Sequence, residues 1–121
     1  MSAPPSTILV VEDDAIVRML IVDVLEELEF NVLQANGAEQ ALELLSDNSQ
    51  PINLLMTDVG LPGMDGRELA RKARELRQTL PVLFASGYPQ INPPVENSYS
   101  IGKPFSIDQL RDKVKSLLHL A

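Results

Sequence analysis

Apolar residues fall in short runs separated by longer stretches of mixed character. Thr7 to Val11 (Thr-Ile-Leu-Val-Val) is almost wholly apolar and mostly β-branched, the pattern of a strand buried on both faces. Asp14 to Glu29 reads as a helix. Val17, Leu20, Ile21, Val24, Leu25 and Leu28 recur at spacings of three and four and form its expected core stripe. At about 100° per residue, Ala15, Met19 and Val22 then fall on the opposite side. Asn31 to Ala35 is a weaker strand, and Asn36 with Glu39 predicts a capping box for a second helix carrying Ala41, Leu42, Leu44 and Leu45. Ile52 to Thr57 is the third strand.

Asp58 to Asp65 is a Gly/Pro loop, and Asp65 with Glu68 predicts the cap of a helix running to about Arg77. Val82 to Ser86 is the fourth strand. Gly87 to Ser98 contains Pro89, Pro93 and Pro94 and reads as an irregular loop, not a continuous helix. Tyr99 to Gly102 is a fifth strand. Ser106 with Gln109 predicts a capping box on a final helix with Leu110, Val114, Leu117 and Leu118 on its core face, ending near Ala121. Strands buried on both faces and alternating with helices imply an α/β fold, a parallel sheet covered on each side. The expected organisation is a flexible N-terminus, 1–6, and one domain, 7–121, with no output module after it.

Ligands of such sheets bind outside the carboxyl ends of the strands, at the switch in strand order. The residues just past each strand are therefore the candidates for chemistry. They are Glu12, Asp13 and Asp14 after the first, Asp58 after the third, Ser86 at the end of the fourth and Lys103 after the fifth. Two carboxylates about 5 Å apart repel by roughly 3 kcal/mol at an effective dielectric of about 20. An ammonium or a divalent cation would offset this. An all-oxygen site with few protein ligands suits Mg²⁺, and a carboxylate beside Mg²⁺ and a lysine can act as a phosphoryl-transfer nucleophile. No Gly-x-Gly-x-x-Gly or Gly-Lys-Ser/Thr phosphate loop is present.

Composition narrows the function classes. The chain has 121 residues, of which 45% are hydrophobic, and a net charge of −7. The acidic balance argues against direct nucleic-acid binding or an anionic membrane surface. Without cysteine and with a single histidine, thiolate metal sites, disulfides and multi-histidine centres are excluded. No apolar run approaches membrane-spanning length, and the first residues lack the charged and apolar regions of a signal peptide. A cytoplasmic protein fits these features.

The segments Ile8-Leu9-Val10-Val11-Glu12-Asp13-Asp14, Leu55-Met56-Thr57-Asp58-Val59-Gly60-Leu61-Pro62-Gly63-Met64-Asp65-Gly66, Phe84-Ala85-Ser86-Gly87 and Lys103-Pro104-Phe105 resemble a response-regulator receiver domain. The four pieces occur in the family's order, each at the end of a predicted strand. The resemblance implies a flavodoxin-like, doubly wound, five-stranded parallel sheet in the order 2-1-3-4-5. It makes Asp58 the phosphoacceptor and Asp13 the carboxylate that binds Mg²⁺ directly, with Glu12 acting through water. The Gly60 carbonyl is implied as the third protein ligand. Ser86 corresponds to the hydroxyl that bonds a phosphoryl oxygen, and Lys103 to the lysine that pairs with the acceptor. A cis Lys103–Pro104 peptide is implied as well. The expected function is acceptance of a phosphoryl group from a partner phosphohistidine, followed by a conformational switch, with no independent substrate turnover. The partner would be a histidine kinase or a histidine phosphotransfer protein.

Two features differ from the common family pattern. An aromatic residue usually lies three positions before the lysine; here Ser100 stands there and Tyr99 is one place off. The helix between strands four and five is expected to be shortened or absent, which would remove its dimerisation face and leave a monomer. Both features resemble the subgroup with Phe-Ala-Ser/Thr-Gly at the end of strand four and receivers of hybrid histidine kinases. Ala15, Met19 and Val22, with Pro104 and Phe105 across the site mouth, are the expected contacts of the histidine-bearing partner. The alternatives are a phosphorylation-independent binding module on the same fold and a Mg²⁺-dependent phosphatase or phosphotransferase acting on small molecules.

Overall fold

The computed structural model describes residues 6–47, 49–61, 63–86, 98–102 and 105–118. The chain runs β1 (Thr7–Val11), α1 (Ala15–Glu27), β2 (Asn31–Ala35), α2 (Ala38–Ser46), β3 (Leu54–Asp58), α3 (Gly66–Leu76), β4 (Val82–Ser86), β5 (Ser98–Gly102) and α4 (Ile107–Leu117). All strand pairs are parallel and the order is β2-β1-β3-β4-β5. That is the expected doubly wound sheet. Of the segment expected to be an irregular loop, Gly87 to Ser98, residue Ser98 instead opens β5, one position before the expected start of that strand, and residues 87–97 lie outside the described residues.

Side-chain alternation along the inner strands builds two cores. Leu9, Val11, Leu55, Val82 and Phe84 pack with α2 and α3, while Ile8, Val10, Leu54, Met56 and Leu83 pack with α1 and α4. Because each face is covered by helices, every residue of β1 is buried, which is why that strand reads as an unbroken apolar run.

Local chemistry sets the element boundaries, and three expectations need correction. The second helix is not capped by Asn36 and Glu39. Gly37 is its N-cap without a side-chain bond, and Gln40, three residues on, reaches back to the Asn36 N–H (2.9 Å). The third strand begins at Leu54, not Ile52. Asn53 turns aside to accept from the Thr7 N–H (2.8 Å) while its own N–H donates to the Thr7 carbonyl (2.8 Å), so it brackets the start of β1. The third correction concerns α1. Ile21, Val22 and Leu25 are its buried residues, while Leu20 is 58% exposed. Val17, Ile21, Val24, Leu25 and Leu28 of the expected stripe do pack against the core, so the correction is confined to its edges: Leu20 drops out to solvent and Val22, on the other side, joins. α1 carries more apolar residues than one face can bury, so several phases fit the sequence.

Asp14, one of the candidates for chemistry after the first strand, caps α1, its side chain accepting from the Ile16 and Val17 amides, and Ser106 and Gln109 form the expected reciprocal box at α4. Asp65 caps α3 through the Arg67 amide (2.7 Å). A further hydrogen bond from the Arg67 guanidinium holds the Asp65 carboxyl below the usual carboxylate range, keeping the cap ionised. Among the described residues, no helix is long and apolar enough to cross a membrane.

Candidate phosphoacceptor site

The strand order reverses between β1 and β3, and the crevice outside their carboxyl ends is where this architecture places a ligand. Val11 pairs with Thr57, so the residues that follow, Glu12 and Asp58, leave the sheet side by side. Carboxylate oxygens of Glu12, Asp13 and Asp58 lie within 4.8 Å of one another. Glu12 is buried, Asp58 half-buried and Asp13 exposed, so the group opens to solvent on one side.

The donor set fits a small hard cation. In an octahedron with bonds of about 2.1 Å, ligand oxygens sit roughly 3 Å apart when adjacent and about 4.2 Å when opposite. A spacing of up to 4.8 Å needs only a small closure, or a water between one carboxylate and the ion. All three donors are oxygens, which suits Mg²⁺ and excludes the thiolate and imidazole chemistry of softer metals.

Asp58 is held from several directions. Its main-chain carbonyl accepts from the Thr57 hydroxyl (2.9 Å), which is how a buried threonine side chain is satisfied in the core. The Gly60 N–H points toward Asp58 Oδ1 at 3.4 Å, a long contact that bends the loop back over the carboxylate. The Gly66 N–H donates to the Val59 carbonyl (2.7 Å), clasping the first turn of α3 onto the chain after Asp58. Gly66 meets the Asp58 backbone so closely that a Cβ there would overlap the Asp58 carbonyl oxygen and lie 3.0 Å from Val59 Cα. Gly63 takes a positive φ of 81° and gives the loop its left-handed turn.

Of the residues expected at the site, Glu12, Asp13 and Asp58 are brought together, and Gly60 sits in the adjoining loop. Ser86 ends β4 and pairs with Gly102, one step beyond the Asp58–Ala85 pair, so its backbone reaches the same edge. Its side chain, and all of Lys103 and Pro104, lie outside the described residues. Phe105 is half-buried against the α1/α4 core, and Ala15 and Met19 are exposed. Val22 does not belong to the expected partner surface: only 5% exposed, it packs into the core at the edge of the α1 stripe. Tyr99 does not reach the site. It lines a cavity of about 540 Å³ with Ser6, Asn53 and Pro81 at the amino edge of the sheet, the end opposite Asp58.

Sequence reasoning missed two residues. Arg18 occupies a core-facing position of α1 and donates from Nη1 to the Glu12 carbonyl (2.7 Å). A charge interrupting an otherwise buried stripe was its only sequence signal. Gly66 was marked by its place at the first helical position after a cap, where glycine has no helical advantage.

Residues 8–115 match the response regulator receiver domain. The chain belongs to that family. As a receiver, it is 33% identical over 118 residues to the sensor kinase CckA of Brucella abortus, covering 93% of this chain and 12% of the kinase. It is 30% identical over 119 residues to sporulation initiation phosphotransferase F of Bacillus subtilis, covering 93% of this chain and 94% of that protein. The crystal structure of the receiver domain from the hybrid histidine kinase CckA superposes with a TM-score of 0.83 at 37% identity, covering 93% of this chain and 99% of that one. The receiver thus resembles a small part of a long kinase and nearly the whole of a short phosphotransferase.

Proposed function

We propose that this receiver accepts a phosphoryl group on Asp58 from the phosphohistidine of a histidine kinase or histidine phosphotransfer protein, with Mg²⁺ bound by Asp13, Asp58 and the Gly60 carbonyl. Glu12 completes the cation site through water. The observation that carries the reading is the three-carboxylate group at the β1/β3 switch point, with Asp58 on the central strand pair. An Asp58 carboxylate oxygen attacks phosphorus. The P–N bond breaks, and the imidazole leaves with the electron pair and takes up a proton. Mg²⁺ held there would supply neutralisation of the charge on the phosphoryl oxygens. Ser86 and Lys103 engage those oxygens, by hydroxyl and ammonium respectively. The chain is a signalling acceptor with no separate substrate, and acts in the cytoplasm as a monomer.

Mass spectrometry of the intact protein after incubation with Mg²⁺ and a small phosphodonor tests the reading. A gain of one phosphoryl group that disappears on chelation is expected. No gain under any Mg²⁺ concentration would leave a phosphorylation-independent binding module instead.

The partner surface follows the corrected core face of α1. Ile16, Met19 and Leu20 are 68%, 54% and 58% exposed, adjacent at spacings of three and four, with Ala15 beside them at the site end. Three large apolar side chains in register next to the acceptor suit one occupant, a helix of the histidine-bearing protein that must bring its imidazole to Asp58. Met19→Glu is expected to leave small-donor phosphorylation and melting temperature unchanged. It should slow transfer from the cognate phosphohistidine protein at least ~10-fold, or ~1.4 kcal/mol. Equal transfer rates in stopped-flow or quench assays would remove this surface from the reading.

A further inference from the structure

The connector between β1 and α1 carries two of the three clustered carboxylates yet spans only Glu12, Asp13 and Asp14. Its anchoring is unusually complete. The Glu12 N–H donates to the Ala35 carbonyl (3.1 Å), which extends the β1–β2 ladder by one rung. The Asp14 side chain accepts from the Ile16 and Val17 amides at 2.9 and 3.2 Å. Between these anchors, the Glu12 carbonyl is held by a side chain, Arg18, at 2.7 Å.

Arg18 is placed for this by the phase of α1. It lies one turn before Val22 and two before Leu25, on the stripe that faces the sheet. An apolar residue at that position would extend the core. A guanidinium there instead gives up part of its hydration, and the short bond to the Glu12 carbonyl compensates. Its Nε meets Gln34 Oε1 on β2 at 3.4 Å, so the planar fork spans the carbonyl and the neighbouring strand.

A peptide group is rigid, so fixing the Glu12 oxygen fixes the plane that also contains the Asp13 Cα. The Asp13 carboxylate hangs from that plane, within 4.8 Å of the Glu12 and Asp58 carboxylate oxygens. We propose that Arg18 is a positioning residue for the divalent-cation site, holding the Glu12–Asp13 peptide so that the Asp13 carboxylate faces Asp58 at cation-binding distance. The inference rests on the Mg²⁺ site described above. It adds a residue that touches neither cation nor phosphoryl group but sets the geometry of the carboxylate that does. Outer residues that orient metal ligands are worth about 10–100-fold in metal affinity where they have been removed.

Calorimetric titration of the full chain with Mg²⁺ alone, at a temperature well below melting, tests the proposal in Arg18→Met and Arg18→Gln. Both variants should bind Mg²⁺ about 10-fold more weakly than wild type. Loss of the positive guanidinium would by itself favour cation binding, so the weakening is geometric and should persist at about 0.5 M salt, where the Debye length is only about 4 Å and long-range charge effects are screened. Affinities equal to wild type, or a difference that vanishes at high salt, would overturn it. Wild-type protein gives a readout that needs no variant. In nuclear magnetic resonance, the Arg18 Nε–H should exchange slowly with water and shift on Mg²⁺ addition; a freely exchanging, unresponsive signal also overturns the proposal. Failure of the wild type itself to bind Mg²⁺ would count against the cation site as a whole and is separable from a failure confined to Arg18.

Discussion

Asp58→Asn is expected to abolish phosphoryl gain from a small donor in Mg²⁺, lowering the rate at least ~1000-fold, or ~4 kcal/mol. The amide is nearly isosteric with the carboxylate, so the Gly60 amide and the Thr57 hydroxyl can keep their places around the backbone. On the proposed reading, what disappears is the negative oxygen that would attack phosphorus, together with one anionic donor to the cation. The same substitution should raise the melting temperature of the metal-free protein. Removing one of three mutually close carboxylates relieves two repulsive pairs, each costing about 3 kcal/mol at full charge, 5 Å and an effective dielectric of 20, and less where solvent screens Asp13. Opposite signs for activity and stability are the mark of a functional carboxylate group. Undiminished labelling of Asp58→Asn would assign the phosphoryl group to another residue.

Gly66→Ala should be more damaging than the same change at Gly37 or Gly60, where an added Cβ meets nothing within 4 Å. The new Cβ would overlap the Asp58 carbonyl oxygen and crowd Asp58 C and Val59 Cα, all backbone atoms that no rotamer change can move aside. The first turn of α3 would have to retreat, stretching the Gly66 N–H bond to the Val59 carbonyl. Overpacking of this kind costs about 1–3 kcal/mol and a lost backbone hydrogen bond about 1 more. For a chain of this size, that corresponds to a drop in melting temperature of about 10 °C. Because the displaced atoms belong to the acceptor's own backbone, phosphorylation should slow as well. Gly60→Ala is the matching control, since a Cβ there meets nothing within 4 Å. Calorimetric melting of the two variants within about 2 °C of each other would refute the clasp.

The sheet was legible because its inner strands are buried on both faces. Thr7–Val11 and Val82–Ser86 stand out as apolar runs whatever their neighbours do. The acidic site was legible for a related reason: chemistry in a parallel sheet collects past the strand ends, and Glu12, Asp13 and Asp58 sit there. Phase and capping were harder to read. α1 has apolar residues at most positions from Ala15 to Leu25, so counting alone favours a stripe through Leu20, whereas packing against the sheet takes Val22 and leaves Leu20 out. Asn36 has the side chain of a cap, but the chain turns one residue later at Gly37. Arg18 and Gly66 act on main-chain atoms of other elements, at Glu12 and at Asp58 and Val59. Such contacts are fixed by tertiary placement and leave little trace in local periodicity.

The strand order has a consequence for how the chain is made. β1 is synthesised before both of its partners: Thr7 pairs with Asn31, and Ile8 with Leu54. At about 5–20 residues per second of synthesis, the first strand waits seconds for the third. Among the described residues the strands form no hairpin that could nucleate the sheet, so its pairings are non-local and slow to close. Until β1 and β3 meet, Glu12 and Asp13 are far from Asp58 along a solvated chain, and their charges scarcely interact. The carboxylates of Glu12 and Asp13 are therefore brought against that of Asp58 only by the pairing of β1 with β3, so whatever repulsion they carry is a cost of closing that pair and of no earlier local structure.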